Sequence, residues 1–418
     1  MKLIFAEVIT IGDEILYGQI TDTNTKWISE NLDKIGIKTI RKSSVGDVKK
    51  EILNILNESL KRADIVLITG GLGPTKDDIT KKTLADFFGD HLVINTHAEA
   101  FVKNFFEKRG REFTEINRQQ AALPSKCIYL HNATGTAPGM WFEKDGKIIV
   151  SMPGVTVEMH YLMEYEVLPR LKKRFELPEI IHQVIRTIGL GESFLAEKIS
   201  DWEDNLPENL KLAYLPSFGE VKLRITGVDF DREKLKKQID AEVKKLSPII
   251  SEYIYSLENE NIEEAIGEVL KNKNMTVGVA ESCTGGYLSH LFTSIPGSSA
   301  YFMGGIVSYS NEAKMAVLNV KQETLTKFGA VSEETVIEMA EGARNLLKTN
   351  YAISTSGIAG PDGGTPDKPV GTVWLAITNG KETLTKKLTL GNQRLVNIQY
   401  SGKAALNLLR TLINKESR

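Results

Sequence analysis

A serine and a lysine in the last third of the chain are placed so that together they could hydrolyse an amide. Ser282 follows the apolar run Val277–Ala280 and precedes Gly285 and Gly286. A serine on such a strand-to-helix turn presents its hydroxyl over the edge of a sheet, and the N–H groups of the next helix can hold an oxyanion. The alternative is that Ser282 or Thr284 only caps that helix.

The candidate base, Lys314, comes after a second apolar strand and a short polar loop. Asn311 is the expected cap of the helix there, so Lys314 lies in its first turn, where a positive charge opposes the helix dipole. An ordinary surface lysine is the alternative. Lysine acts as a base only when neutral, and burial or a cationic neighbour lowers its pKa. Cys283 is a rival nucleophile, but it lacks an evident histidine partner, so we predict a Ser–Lys pair.

Two further positions in the same segment could hold a substrate. The apolar strand Tyr351–Ser356 ends at Gly357, and more glycines follow, which leaves the backbone open to a ligand. Arg394 begins the last helix and could bind a phosphate through two parallel hydrogen bonds. An ordinary surface arginine would have the same sequence signature.

Two loops near the start of the chain combine glycines with carboxylates. They follow the apolar strands Leu3–Gly12 and Asp64–Gly71. The residues that we assign to ligand binding there are Gly12, Asp13, Glu14, Gly70, Gly71 and Gly73. In an open α/β sheet, ligands bind where strands end and helices begin, and glycines let the backbone approach a phosphate.

Acidic residues beside these loops predict a divalent cation. Bare carboxylates would repel a phosphate, so a phosphate site lined by them normally includes a metal ion. We expect Asp22, Asp77 and Asp78 to be its ligands. Asp77 and Asp78 could instead favour the dipole of a helix predicted over Thr75–Phe88.

The composition excludes several classes of protein. In 418 residues, 52 Lys and Arg face 54 Asp and Glu, a net charge of −2, so no global basic field favours direct nucleic-acid binding. Two cysteines exclude a disulfide scaffold, and no run of 18 uncharged apolar residues predicts a membrane helix. We expect a cytoplasmic protein with no membrane partner.

The element pattern predicts an α/β fold, with two α/β domains of mostly parallel sheets flanking a small α+β domain. Strand and helix patterns alternate over residues 1–171 and again over 258–418. Residues 172–257 hold two strand candidates and two amphipathic helices. No pair of glycines in 172–257 has the GxxG spacing of a nucleic-acid-binding KH module.

The motifs of the first domain carry a family resemblance. GDEIL, TDTN, TGGLGPTKDD, GTAPG and MPGVTVEM resemble the molybdopterin-binding fold of the MogA, MoaB and gephyrin families, and most of all its branch in the CinA family. That resemblance implies ADP-ribose pyrophosphatase activity that needs a divalent metal of unknown identity. Molybdenum-cofactor chemistry stays open as an alternative, because a fold does not fix a function.

The last domain is similar to the C-terminal CinA domain, which also occurs alone as the PncC amidohydrolase. The similarity lies in VAESCTGG, YSNEAK and SGIAGPDGGTPDKPVGTVW. It implies hydrolysis of nicotinamide mononucleotide to nicotinate mononucleotide and ammonia, without a cofactor. Ser282 would be the nucleophile, Lys314 the base and Tyr309 an accessory catalytic residue.

The same resemblance implies the other contacts and partners. Positions implied for substrate binding are Thr284, Gly285, Gly286, Asn311, Ser356, Gly357 and Arg394. The middle segment resembles the KH-like linker domain of CinA proteins, which we interpret as a spacer in an expected homodimer. A non-enzymatic accessory role in competence or recombination is the alternative function.

Overall fold

The computed structural model of the protein describes residues 3–416. These form two compact units, one of residues 3–181 with 228–236, the other of residues 182–227 with 237–416. No helix within residues 3–416 combines the length and the apolar character needed to cross a membrane.

The strands of the described residues are, in chain order, β1 Phe5–Ile11, β2 Lys38–Val45, β3 Ile65–Thr69, β4 Leu92–Ile94, β5 Ala122–Pro124, β6 Ile128–Leu130, β7 Gly139–Lys144, β8 Lys147–Met152, β9 Glu179–Ile188, β10 Leu210–Ser217, β11 Glu220–Asp229, β12 Ile254–Ser256, β13 Val277–Glu281, β14 Phe302–Val307, β15 Tyr351–Gly357, β16 Thr372–Thr378 and β17 Thr383–Thr389.

The α-helices are α1 Asp13–Leu16, α2 Thr23–Asp33, α3 Lys49–Arg62, α4 Thr80–Phe87, α5 Thr96–Glu107, α6 Glu115–Gln119, α7 Thr156–Leu162, α8 Leu168–Arg174, α9 Glu192–Asp204, α10 Arg232–Ile250, α11 Ile262–Asn272, α12 Tyr287–Thr293, α13 Asn311–Leu318, α14 Gln322–Phe328, α15 Glu333–Leu347 and α16 Arg394–Glu416. A π-helical turn, Met163–Val167, joins α7 to α8, and a 3₁₀ turn, Ser298–Ala300, precedes β14.

The first unit is built on a six-stranded sheet in the order β2-β1-β3-β8-β7-β6. The strands β2, β1, β3 and β8 are parallel, and β7 and β6 extend the sheet antiparallel to them. Strand β3 is buried along its whole length, which explains why its sequence is a continuous apolar run. Separate apolar clusters line the two faces of the sheet, as in a layered α/β domain.

The second unit contains a five-stranded sheet in the order β14-β13-β15-β16-β17. Its strands β14, β13 and β15 are parallel, whereas β16 and β17 are antiparallel additions. Helices α11, α12 and α16 contribute to the large core on one face, and α15 packs in smaller clusters with β13, β15 and β16. The predicted α/β class is confirmed, with antiparallel strands added to parallel ones in both large sheets.

A small antiparallel sheet, β10-β11-β9-β12, accounts for the middle of the chain. Sequence reasoning found β9 and β11 but missed β10. Helix α16 bonds to this region. Lys403 pairs with Glu220 at 2.7 Å, and Arg410 donates to the carbonyls of Glu252 and Ile254 at 2.7 and 2.8 Å. The small sheet and the last helix are therefore parts of one compact unit.

One predicted helix boundary is wrong. Helix α4 begins at Thr80, not at Thr75, because residues 75–78 form a turn in which the Asp78 carboxylate accepts hydrogen bonds from the Thr75 N–H and hydroxyl. Asp77 and Asp78 therefore lie in the loop before the helix and not in its first turn. A short polar side chain that bonds its own backbone favours such turns over helix.

Candidate functional site

Three parallel strands end together at the candidate site. In the sheet register, Glu281 at the end of β13 lies opposite Val307 on one side and Thr355 on the other. The chain continues from these ends into Ser282, Ser308 and Ser356. Because carboxyl ends of parallel strands meet at one edge of a sheet, residues distant in sequence come together there.

Ser282 and Lys314 are in direct contact. The Nζ atom of Lys314 lies 3.0 Å from Oγ of Ser282. It also donates to the carbonyls of Ser308, at 2.8 Å, and Tyr309, at 3.3 Å. The two residues that the sequence paired across 32 positions therefore form one hydrogen-bonded unit.

The surroundings of Lys314 favour its neutral form. Its side chain is 1% exposed, and this burial lowers the pKa of the ammonium below its ordinary value. Within residues 3–416, no carboxylate forms a salt bridge with Lys314 that would restore the charge. A buried lysine without a counter-ion beside a serine hydroxyl is suited to accept a proton.

Sequence reasoning missed Glu281, which shapes the turn that carries Ser282. The Glu281 carboxylate is fully buried and accepts hydrogen bonds from the N–H groups of Gly286, Leu288 and Ser289 and from the Ser289 hydroxyl, at 2.6–3.0 Å. These donors lie at the start of α12. The predicted role of this helix terminus as the oxyanion site is therefore not available, because Glu281 occupies it. A carboxylate one residue before a helix-forming turn was the available signal.

The turn also requires its two glycines. Gly285 has φ +59° and Gly286 has φ +100°, a region that side chains disfavour. The Thr284 hydroxyl bonds to that of Thr355 at 2.7 Å, and the Ser282 N–H donates to the Thr355 carbonyl at 2.9 Å. The turn is thus attached to the neighbouring strand on both sides of Cys283.

A cavity of about 190 Å³ opens over the pair. Its lining residues are Ser282, Cys283, Tyr309, Lys314, Ala330, Val331, Ser356, Gly357, Ala359 and Arg394. Arg394 and Tyr309 are exposed at its mouth, where Arg394 donates to the Gly360 carbonyl at 2.9 Å and lies 3.5 Å from the Tyr309 hydroxyl. A buried nucleophile below an exposed guanidinium suits a substrate with an amide at one end and an anionic group at the other.

The remaining predicted residues of this site have other partners. Ser310, not Asn311, caps α13, because its hydroxyl accepts the N–H of Ala313 at 3.1 Å. The Ser356 hydroxyl donates to the Ala330 carbonyl at 2.6 Å. Cys283 is 6% exposed, and burial raises the pKa of its thiol to about 12, so it is a thiol at neutral pH.

In the first unit, the predicted glycine loops lie against each other. A side chain on Gly70 would approach the Ile11 carbonyl to 2.0 Å, and one on Gly154 would lie 3.4 Å from Gly70. Asn24, another residue that sequence reasoning did not assign, donates to the Gly154 carbonyl at 2.7 Å and to the Thr69 hydroxyl at 3.2 Å. The ends of β1, β3 and β8 therefore meet at one edge of the sheet.

Asp47 joins the acidic residues at this edge. Burial raises the pKa of its carboxyl, and the charges of Asp13, Glu14 and Asp77 raise it further, although the Asp13 N–H donates to it at 3.2 Å. Sequence reasoning did not assign Asp47 to this site. Its position after β2, the neighbour of β1, was the signal that places it here.

The structure does not assemble the predicted metal ligands. Asp22 accepts the Thr25 N–H as the cap of α2 and the Thr10 hydroxyl at 2.6 Å, and Asp78 is bonded to Thr75. In residues 3–416, no group of three or more His, Cys, Asp or Glu side chains has the arrangement of a metal site. Asp22, Asp77 and Asp78 as one ligand set therefore stays a prediction, and in this structure Asp22 and Asp78 accept hydrogen bonds from nearby N–H groups and hydroxyls.

Comparison with known proteins divides the sequence into three matching regions. Residues 7–173 match the family described as "Probable molybdopterin binding domain", residues 182–256 the "Damage-inducible protein CinA KH domain" and residues 259–413 the "CinA C-terminal domain". The Ser282–Lys314 site lies in the third region and the glycine loops in the first.

The similarity to known proteins extends over nearly the whole chain. A CinA-like protein of Cytophaga hutchinsonii is 52% identical over 407 residues, and one of Flavobacterium psychrophilum is 47% identical over 409 residues, each match covering 97% of both chains. Among solved structures, the competence/damage inducible protein CihA of Agrobacterium tumefaciens is 39% identical. That match covers 36% of this chain and 93% of the other, with a TM-score of 0.36.

Proposed function

Because the chain belongs to the CinA family, we propose that its second unit is an amidohydrolase that converts nicotinamide mononucleotide to nicotinate mononucleotide and ammonia. The observation that carries the proposal is the 3.0 Å contact between Ser282 Oγ and the buried Nζ of Lys314. A nucleophile joined to a base in this way is the requirement for hydrolysis through an acyl-enzyme.

The hydrogen bonds of Lys314 can all be made by a neutral amine, the form that the proposed reaction requires. A neutral amine has two N–H donors and one lone pair, and the carbonyls of Ser308 and Tyr309 accept two donors. The lone pair is then left for the hydroxyl proton of Ser282. A protonated lysine would have a third donor, which only the Ser282 oxygen could accept.

The reaction proceeds in two balanced halves. Ser282 Oγ bonds to the carboxamide carbon while its proton passes to Lys314, and the tetrahedral intermediate then breaks its C–N bond as Lys314 returns the proton to the leaving nitrogen, which departs as ammonia. Water next adds to the ester carbon and gives a proton to Lys314. The bond to Ser282 Oγ breaks, its oxygen regains the proton, and nicotinate mononucleotide leaves.

The exposed end of the cavity fits the nucleotide part of the substrate. Arg394 and Tyr309 present a guanidinium and a phenol at the mouth, and a phosphate can accept hydrogen bonds from both. Arg394→Lys keeps the charge but loses the planar fork, so we expect it to raise KM more than it lowers kcat.

The full chain incubated with nicotinamide mononucleotide tests this function. Ammonia and nicotinate mononucleotide should appear in equal amounts, and Ser282→Ala should abolish both. An intact substrate with folded wild-type protein would overturn the proposal. Release of free nicotinamide would identify glycosidic cleavage instead.

For the first unit we propose binding and cleavage of ADP-ribose at its pyrophosphate. The supporting observation is the convergence of the glycine loops at Gly70 and Gly154, beside the carboxylate of Asp47. Close-packed glycine backbone at strand ends is typical of phosphate sites. AMP and ribose 5-phosphate are the expected products.

The second activity has its own controls. Asp47→Asn should reduce ADP-ribose cleavage and leave deamidation unchanged. The sequence resemblance predicts that a chelator abolishes the cleavage and that added Mg²⁺ restores it. Tight binding of molybdopterin without ADP-ribose cleavage would favour the cofactor alternative.

A further inference from the structure

One wall of the cavity is a short segment in which three of the four carbonyls accept hydrogen bonds from side chains. The segment, residues 328–331, runs from the last residue of α14 towards α15, and Ala330 and Val331 line the cavity. Three carbonyls in succession, those of Phe328, Gly329 and Ala330, accept hydrogen bonds from side chains outside the segment. This segment, here named the wall, is therefore fixed by side chains and not by regular secondary structure.

The strongest of these attachments is at Gly329. Its carbonyl accepts hydrogen bonds from the hydroxyls of Thr335, at 2.8 Å, and Ser332, at 3.0 Å. Both residues are buried at the start of α15, and neither lines the cavity. Gly329 has φ +78°, so the chain adopts here a conformation that suits glycine.

The neighbouring carbonyls are attached on either side. Lys368 donates to the Phe328 carbonyl at 2.6 Å, and Ser356 donates to the Ala330 carbonyl at 2.6 Å. Ser356 directly follows Thr355, whose carbonyl accepts the Ser282 N–H. Strand β15 therefore links the wall to residues 282–286, the turn that carries Ser282 and is here named the nucleophile turn.

The attachment at Gly329 determines where the next N–H points. In a trans peptide, the carbonyl of one residue and the N–H of the next point in opposite directions. With the Gly329 carbonyl directed to the start of α15, the Ala330 N–H is directed away from α15, and Ala330 is one of the residues that line the cavity. Within residues 3–416, this N–H donates to no main-chain carbonyl and to no side chain.

A second unused donor lies on the nucleophile turn. The N–H of Cys283, the residue after Ser282, also donates to no main-chain carbonyl and to no side chain of another residue within 3–416. Hydrolases with a serine on a sharp turn hold the oxyanion with the N–H that follows the nucleophile and one N–H from another loop. The helix α12 terminus cannot serve, because Glu281 occupies its donors.

We infer that the main-chain N–H groups of Ala330 and Cys283 form the oxyanion site of the amidohydrolase, and that Thr335 and Ser356 are positioning residues that hold the wall for it. This inference rests on the proposed function, which supplies the carbonyl oxygen that becomes negative when Ser282 attacks. The two N–H donors meet that charge only in the tetrahedral intermediate. Their effect is therefore on kcat and not on KM.

Thr335→Val tests the positioning role with little change of shape. Complete loss of an oxyanion donor lowers kcat by about 10²–10³-fold. In Thr335→Val, Ser332 still donates to the Gly329 carbonyl, so the wall is only loosened and we expect kcat to fall about tenfold. KM for nicotinamide mononucleotide should stay within about twofold of the wild-type value. Thr335→Ser keeps the hydroxyl and should restore kcat.

The matched control is Thr324→Val. Thr324 is a buried threonine of α14 whose hydroxyl donates to Glu338 at 2.8 Å and not to the wall. The Thr324→Val variant should keep the wild-type kcat. Ser356→Ala should repeat the effect of Thr335→Val. Equal losses in Thr324→Val, or a rise in KM alone in Thr335→Val, would overturn the inference.

Pyridine-3-boronic acid gives a readout that needs no turnover. Ser282 Oγ adds to boron while its proton passes to Lys314, and the product is a tetrahedral anion in which boron carries two hydroxyl oxygens besides Ser282 Oγ. A crystal structure of the full chain with this probe should place one of them within about 3 Å of the N atoms of Ala330 and Cys283. Thr335→Val should weaken binding of the probe about tenfold.

The probe separates the two proposals. An adduct with these contacts but no hydrolysis of nicotinamide mononucleotide would overturn the proposed substrate and support the oxyanion site. An adduct whose oxygens lie elsewhere would overturn the oxyanion site, as would failure of the probe to react with an enzyme that does hydrolyse the nucleotide. If neither reaction occurs, both proposals fail.

Discussion

The carboxylate of Glu281 and the hydroxyl of Ser289 lie 2.6 Å apart, eight residues from each other in the sequence. This contact closes a loop that contains Ser282, the proposed nucleophile. The carboxylate is fully buried and is surrounded by donors of the loop and of α12. The geometry of the nucleophile turn thus depends on a charge that does not face the substrate.

Glu281→Gln should weaken the fold and slow deamidation. The amide has nearly the same shape, but its NH₂ group cannot accept the N–H donors that one carboxylate oxygen accepts. An unsatisfied buried donor costs about 1–3 kcal/mol, which chemical denaturation of the full chain would detect. We expect kcat to fall as well, because Ser282 shifts from Lys314.

Glu338→Gln is the matched control for Glu281. Glu338 also accepts a main-chain N–H, that of Lys321 at 2.8 Å, but its contacts lie away from the nucleophile turn. It should lose stability without losing kcat. A normal kcat in a folded Glu281→Gln protein would contradict the role of Glu281.

The losses from Ser282→Ala and Lys314→Met should not add. Both side chains act in the same proton transfer, so either substitution removes the same step. We expect each single variant and the double variant to retain less than about 10⁻³ of the wild-type kcat. ADP-ribose cleavage measured in the same samples reports whether the chain is folded, and additive losses would show two independent roles.

Deamidation should rise with pH through the lowered pKa of Lys314. Below that pKa the side chain is protonated and cannot act as the base, and above it the rate should reach a plateau. Because burial lowers the pKa, the rise should lie below pH 10.5, the ordinary value for lysine. A pH-rate profile of kcat measures this, and Lys314→Arg should stay inactive at every pH.

Cys283→Ala should keep most of its activity. The thiol is buried and its pKa is raised to about 12, so it offers almost no thiolate at neutral pH. Only its main-chain N–H takes part in the proposed chemistry, and that group survives the substitution. Loss of activity in Cys283→Ala together with an active Ser282→Ala would assign the nucleophile to the thiol.

The stability of the first unit should depend on Lys81 above neutral pH. Burial lowers the pKa of Lys81 to about 8, against 10.5 in an unfolded chain. Between these values the unfolded state binds more protons, so the unfolding free energy rises with pH, by about 3 kcal/mol over the whole window. The unfolding free energy of the wild type minus that of Lys81→Met should therefore rise with pH. Denaturant titrations of both proteins at pH 7 and 10 would measure this.

The sequence predicted the parts of the site that follow buried strands. Ser282 and Lys314 each come after an apolar run, and the parallel register then brings them together. What the sequence could not reveal are contacts made by long-range hydroxyls and carboxylates, such as Thr335 with Gly329 or Glu281 with α12. These depend on packing between elements, for which a linear pattern carries no signal.

The local contacts of two predicted metal ligands were likewise outside the reach of the sequence. Asp22 and Asp78 have the residue type of metal ligands, and each carboxylate accepts a nearby N–H and hydroxyl. An aspartate after a strand can cap a helix or close a turn as readily as it binds a cation. Residue type and position in the sequence do not separate these roles, so the metal site stays a prediction.

The hydrogen bonds between α16 and the small sheet affect where the chain can be divided for gene fusion or domain exchange. A fragment that starts at residue 258 would lack Glu220, the partner of Lys403, and the carbonyls of Glu252 and Ile254 that hold Arg410. Both cations would lose acceptors on a helix that contributes to the large core of the five-stranded sheet. In gene fusion or domain exchange, a segment that begins near residue 182 keeps these contacts, whereas one that begins at residue 258 leaves both cations to solvent.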